Sequence, residues 1–251
     1  MQNIVGFIEE KKQEFAKLPL FEILANKHIH PNQRLIFAPV LDPLAVGLSD
    51  LNKYVLRESS SNNKVQELIN KYTYKKNYYW HGYLEHLETL RFNQLMSYGD
   101  FRLLWGEETK KTRSLCSALE CYAFQASPIQ KLVLVEVLEG TATVFFEAAL
   151  AVVMELQQIP KKEYVYLGGG YVSLENHHLL NTPEMLQVLA EIELTDAECQ
   201  AALELAQNVF ELFTEVMNEL FGHSQTHSCN TVLQVSSISA FDRAFDCLDI
   251  C

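Results

Sequence analysis

The sequence predicts an all-α protein, a multi-helix bundle around one buried central helix, and three observations predict it. Apolar residues recur at three- and four-residue spacing along most of the chain, the period of a helix face. One stretch, residues 128–155, is apolar on nearly every side, which suits a helix enclosed by others. Nothing reads as paired strands, since VLQV and YVYL are short and isolated. Roughly seven to nine helices in one domain, residues 1–251, is the simplest reading.

The central stretch is PIQKLVLVEVLEGTATVFFEAALAVVME. Ser127 and Pro128 make its start, a hydroxyl able to cap free N–H groups and then a residue preset for the first helical position. Glu136, Glu139, Thr143 and Glu147 interrupt the apolar run and fall on one stripe at about 100° per residue. A carboxylate buried there needs a cation, a metal or a proton. Glu139, in mid-helix, is the expected interior acid; Glu136 and Glu147 are expected toward solvent.

The other elements follow in order. Residues 4–18 form an amphipathic helix with Ile4, Ile8, Phe15 and Leu18 as its apolar set, broken by Pro19, and a second short helix ends before Pro31. The run QRLIFAPVLDPLAVGLSDLNKYVL is helical but bent at Pro39 or Pro43. RESSSNNK is a loop, and His28 and His30 belong to the surface. Residues 65–92 make a tyrosine-rich helix with two stripes. The more apolar one, Tyr72, Lys76, Tyr79, Tyr83, Leu87 and Leu90, is expected to face the core, while His81, Glu85 and Glu88 suit a solvated face.

A helix over residues 109–125 presents Leu115, Leu119, Tyr122 and Ala123. Gly168–Gly170 matches no phosphate-binding loop and suits a bend or close packing. Thr182-Pro183-Glu184 restarts a helix, and Thr195 with Glu198 is a capping box opening the last long one, to about Phe221. The tail is a loop and a short terminal helix over residues 222–251, with His223 and His227 exposed in the loop.

Composition narrows the partners. The chain carries 20 Lys+Arg against 32 Asp+Glu, a net −12, with 48% hydrophobic residues. That field repels nucleic acid and anionic membrane, and no basic stripe overrules it. No window approaches about 18 uninterrupted apolar residues, so no membrane span is expected. The N-terminus lacks the basic-then-apolar order of a signal peptide, and a cytoplasmic location is expected. Six cysteines without C-x-x-C spacing read as apolar fillers or free thiols.

Glu175-Asn-His-His178 is the sharpest local motif. Glu and His at i,i+3 share a helical face, as in bundles that hold iron or manganese. A two-metal bundle site needs two such pairs, and this chain has one. Together with FAPVLDPLAVGLSDLNKYVLR, YWHGYLEHLETL, LVEVLEGTATVFFE and YVSLENHHLL, it resembles the heme-oxygenase-like helical superfamily, in particular the TenA/CADD-like and "iron-containing redox enzyme" branches. The resemblance implies a heme-oxygenase-like bundle, commonly a homodimer, with iron ligands on three helices: Glu-x6-His, then a single Glu, then His-x3-Asp/Glu-x2-His. The single Glu falls on Glu139. The third pattern falls on Tyr171, Glu175 and His178, with Tyr in place of the first His. The first falls on Tyr72 and Tyr79, keeping neither ligand, with Lys76 on the same face.

The resemblance therefore implies metal ligands Glu139, Glu175 and His178, enough for one Fe or Mn ion rather than two. It gives no counterpart for the proximal His of a heme site or for a TenA-type cysteine nucleophile. Lys76, as a core cation, can neutralise a carboxylate in place of a metal. Tyr79 and Tyr171, with Tyr83, would line the cavity as hydrogen-bond donors or redox-active groups. Fold alone does not fix the chemistry. Three functions stay open: a non-heme iron oxidase or oxygenase acting on a small organic substrate in the bundle, a metal-free small-molecule binder, and a scaffold whose helices only meet partners.

Overall fold

The computed structural model describes residues 1–59, 61–75, 98–157 and 183–227. Among these every regular element is helical. The helices are α1 (Gln2–Phe15), α2 (Pro19–Ala25), α3 (Pro31–Arg34), α4 (Asp42–Asp50), α5 (Lys64–Lys75), α6 (Tyr98–Trp105), α7 (Lys110–Ala123), α8 (Pro128–Gln157), α9 (Pro183–Ala190) and α10 (Asp196–Thr226).

The central helix α8 runs for 30 residues. Its capping is reciprocal: Gln130 N–H donates to Ser127 Oγ, and Ser127 N–H donates to the Gln130 side-chain oxygen at 2.9 Å. α1, α2, α3, α5, α7 and α10 all pack against it. Leu132, Val133, Leu134, Val135, Val137, Ala149, Val152 and Val153 are almost fully buried as a result. Each large side chain among them contributes about 1.5–3 kcal/mol by leaving water.

The two prolines split the early helix instead of bending it. Pro39 lies in a 3₁₀ turn, Ala38–Leu41, and Pro43 sits in the first turn of α4, where its missing N–H costs nothing. A π turn, Leu51–Val55, follows α4. The loop beyond is tied to α5: Gln66 donates to the Leu56 carbonyl at 2.8 Å, and Asn70 exchanges hydrogen bonds with the Glu58 backbone. α5 keeps the expected faces as far as it is described, with Tyr72 inward and Tyr74 exposed.

In α7, Leu115, Leu119 and Ala123 are buried, but Tyr122 is exposed because it falls outside the stripe that those three define. Both halves of the Thr195–Glu198 capping box are present at α10. α10 is longer than the sequence suggests: it runs to Thr226, so His223 is helical and buried rather than in an exposed loop. The polar residues around it conceal an apolar face that continues through Val216, Met217 and Leu220.

Two stretches, Pro31–Val55 and Pro128–Leu156, are long and apolar enough to cross a membrane by length and composition. Half of each is buried inside the bundle, and core helices pass the same test. The second also carries Lys131, Glu136 and Glu139, all buried against protein. Lys131 reaches Glu58 at 2.8 Å.

Candidate functional site

A cavity of about 110 Å³ opens beside the middle of α8. Five segments wall it: Phe15 from α1; Leu41, Leu44, Ala45, Leu48, Ser49 and Asn52 from the 3₁₀–α4–π run; Tyr72 from α5; Val135, Leu138, Glu139, Thr141, Ala142, Phe145 and Phe146 from α8; Phe213 and Met217 from α10. Its wall is mostly hydrocarbon. Phe145 packs edge-on to both Phe37 and Phe146, which fixes the aromatic side. Thr141 turns its hydroxyl back to the Val137 carbonyl at 2.9 Å, leaving its methyl for the core.

Glu139 lies on this wall and is 8% exposed. The interior position expected of it is therefore observed. Glu136 is a correction: expected toward solvent, it is 4% exposed. A period argument gives acids to the water side, but α8 has neighbours on every side over this turn, so no water side exists there. Glu147, about three turns beyond Glu136 on the same stripe, is exposed as expected.

Of the other proposed site residues, Lys76, Tyr79, Tyr171, Glu175 and His178 lie outside the described residues, as do His81, Tyr83, Glu85 and Glu88. Among the described residues no group of three or more His, Cys, Asp or Glu stands close enough to hold a metal ion. Glu139 is the one donor of the implied ligand set that is placed.

Cys116 of α7 offers no ready nucleophile. Cys116 is buried, and burial, aided by Glu120 and Asp50, pushes its thiol up to about 12. It faces Gly47 of α4, where the two helices come so close that a Cβ on Gly47 would sit 2.6 Å from Cys116 Sγ. Cys121 is exposed.

The cavity residues that the sequence did not single out are Ser49 and Asn52. They sit at or just before the π turn, a helical irregularity frequent at functional sites. Pro39 and Pro43 signalled a break in that segment, but not which polar side chains it would turn inward. No family model matches the chain, and no curated protein matches it.

Proposed function

We propose that the chain binds a small, mostly apolar organic molecule in the cavity beside Glu139. The observation that carries this reading is the cavity itself: hydrocarbon walls with a few polar groups set into them, the usual make-up of a small-molecule site. Glu139, Ser49, Asn52 and Tyr72 would meet the polar part of the ligand, and the phenylalanines its hydrocarbon part.

Filling the space tests this. In thermal-shift measurements with phenol, indole and hexylamine, at least one probe should raise the midpoint of the full chain. Ala142→Phe, which projects a ring into the cavity, should abolish that response while leaving the helical circular dichroism intact. A response that survives Ala142→Phe, or no response to any of the three, counts against the reading.

A second reading extends the first. Glu139 occupies the position that the resemblance gives to a single iron ligand, and its burial on the cavity wall suits a carboxylate that ligates a cation. On this reading Glu139, Glu175 and His178 hold one Fe or Mn ion, and the chain is a non-heme iron oxidase or oxygenase. The metal would supply O₂ activation; Glu139 would orient it toward the cavity, and the apolar walls would exclude water. Metal analysis of protein expressed with iron and purified without chelator should then give about one metal per chain. Glu139→Gln should lose it; equal metal content in both proteins would remove Glu139 from the ligand set.

A further inference from the structure

We propose that His223 and His227, at the C-terminal end of α10, form a second and separate binding site, for a divalent transition-metal ion such as Zn²⁺, Ni²⁺ or Cu²⁺. The two residues are one helical turn apart and therefore on the same face. Their rings stack with centroids 4.0 Å apart and planes inclined by only 17°. The lone pairs lie in the ring planes, so the stack itself does not chelate; a turn of one ring about its Cβ–Cγ bond lets one ion take a nitrogen from each, because the i,i+4 spacing keeps both side chains on one face.

The hydrogen bonds fix which nitrogen of His227 is available. Its Nδ1 lies 3.1 Å from the His223 carbonyl oxygen, which can only accept, so Nδ1 carries the hydrogen. The Thr226 hydroxyl, 2.9 Å from the same nitrogen, donates to the Gly222 carbonyl at 3.0 Å and leaves its oxygen free to accept as well. Nε2 of His227 then holds the lone pair. An N–H bonded to a backbone carbonyl is the usual support of a metal-binding histidine, since it sets the tautomer and the ring orientation. The backbone is held too: Gln33 of α3 donates to the His227 carbonyl at 2.7 Å.

His223 supplies the other half. It is more than nine-tenths buried, and its Nδ1 is buried with no hydrogen-bond partner among the described residues. Buried polar atoms are rarely left so, and an unmade bond of this kind marks a place for a ligand. With two protein nitrogens, water completes the shell, so the expected affinity is modest. The net charge of −12 favours a cation.

The test is direct titration of the full chain, first stripped with chelator, with Zn²⁺ in a calorimeter and with Cu²⁺ by electron paramagnetic resonance. One Zn²⁺ should bind in a Glu139→Gln background as it does in the parent, which separates this site from the cavity. His227→Ala changes a partly exposed residue at a helix end and should leave the fold intact by circular dichroism. It should weaken Zn²⁺ binding at least tenfold and remove nitrogen splitting from one bound Cu²⁺. The double variant of the exposed His28 and His30, both to Ala, should change neither. Binding unaltered by His227→Ala, or absent from the parent, overturns the proposal.

Discussion

At the scale of single residues, the informative ones are polar groups in apolar places. His223 is the sharpest case. Burial, with His227 beside it, pushes its pKa down from the usual 6.5 to about 4. The unfolded chain therefore takes up a proton near pH 6.5 while the folded chain refuses one until near pH 4. The stability that depends on a neutral His223 is complete above pH 6.5, falls across that window, and falls no further below pH 4. Metal-free protein should thus lose urea stability from pH 7 to pH 4 more steeply than His223→Leu, which cannot titrate. Parallel pH profiles for the two proteins would mean that His223 is protonated as easily in the fold as outside it. Cys116 makes the opposite prediction about reactivity. With its thiol raised to about 12, it should resist iodoacetamide at pH 8 in folded protein while Cys121 reacts, as read by mass spectrometry of the α7 peptide.

At the scale of elements, most of the helices could be read from the sequence because their signals are local. Ser127-Pro128, Thr195 with Glu198, and the period of Ile4, Ile8 and Phe15 each determine a start or a face without help from the rest of the chain. What could not be read depends on neighbours. Glu136 is buried because six helices surround α8, and the last turns of α10 exist because their apolar face meets the bundle. Likewise, the cavity wall contributed by Ser49 and Asn52 depends on where two prolines break the chain.

Helix contacts of this kind yield paired tests. Gly6 of α1 and Gly47 of α4 are both helical, and in an open helix position Ala is better than Gly by about 1 kcal/mol. A Cβ on Gly6 meets nothing within 4 Å, so Gly6→Ala should stabilise. A Cβ on Gly47 would lie 2.6 Å from Cys116 Sγ and 2.8 Å from its Cβ, so Gly47→Ala should reverse the sign and cost about 1–3 kcal/mol. Equal effects in chemical denaturation would show that α4 and α7 do not approach so closely. The N-terminal end of α7 depends on Glu219 of α10, which accepts from the N–H groups of Lys111 and Thr112 and from the Thr112 hydroxyl at 2.7–2.9 Å. It acts as a cap supplied by another helix, and Glu219→Ala should cost about 1–2 kcal/mol.

At the scale of the whole molecule, Arg34 joins parts of the chain that are far apart in sequence. Only 1% exposed, it donates to the Leu24 carbonyl at the end of α2 at 2.9 Å and pairs with Glu155 near the end of α8. Truncating it would leave a buried carbonyl without its donor and a space where a large side chain was. Arg34→Ala should therefore cost about 2–5 kcal/mol, more than the loss of any exposed ion pair such as Lys64–Glu191. The acid limb of the stability curve identifies the partner. The hydrogen bond from Arg34 holds the Glu155 carboxyl below the usual carboxylate range. As pH falls, the unfolded chain binds this proton first, so the contribution of Glu155 is present above about pH 4.5 and is lost as pH drops through the lower folded value. Glu155→Gln should be less stable than the parent at pH 7 and converge with it at the acid end. In an Arg34→Ala background the same substitution should do little at any pH. A Glu155→Gln penalty that persists at full size in that background would show that Glu155 stabilises the bundle through some group other than Arg34.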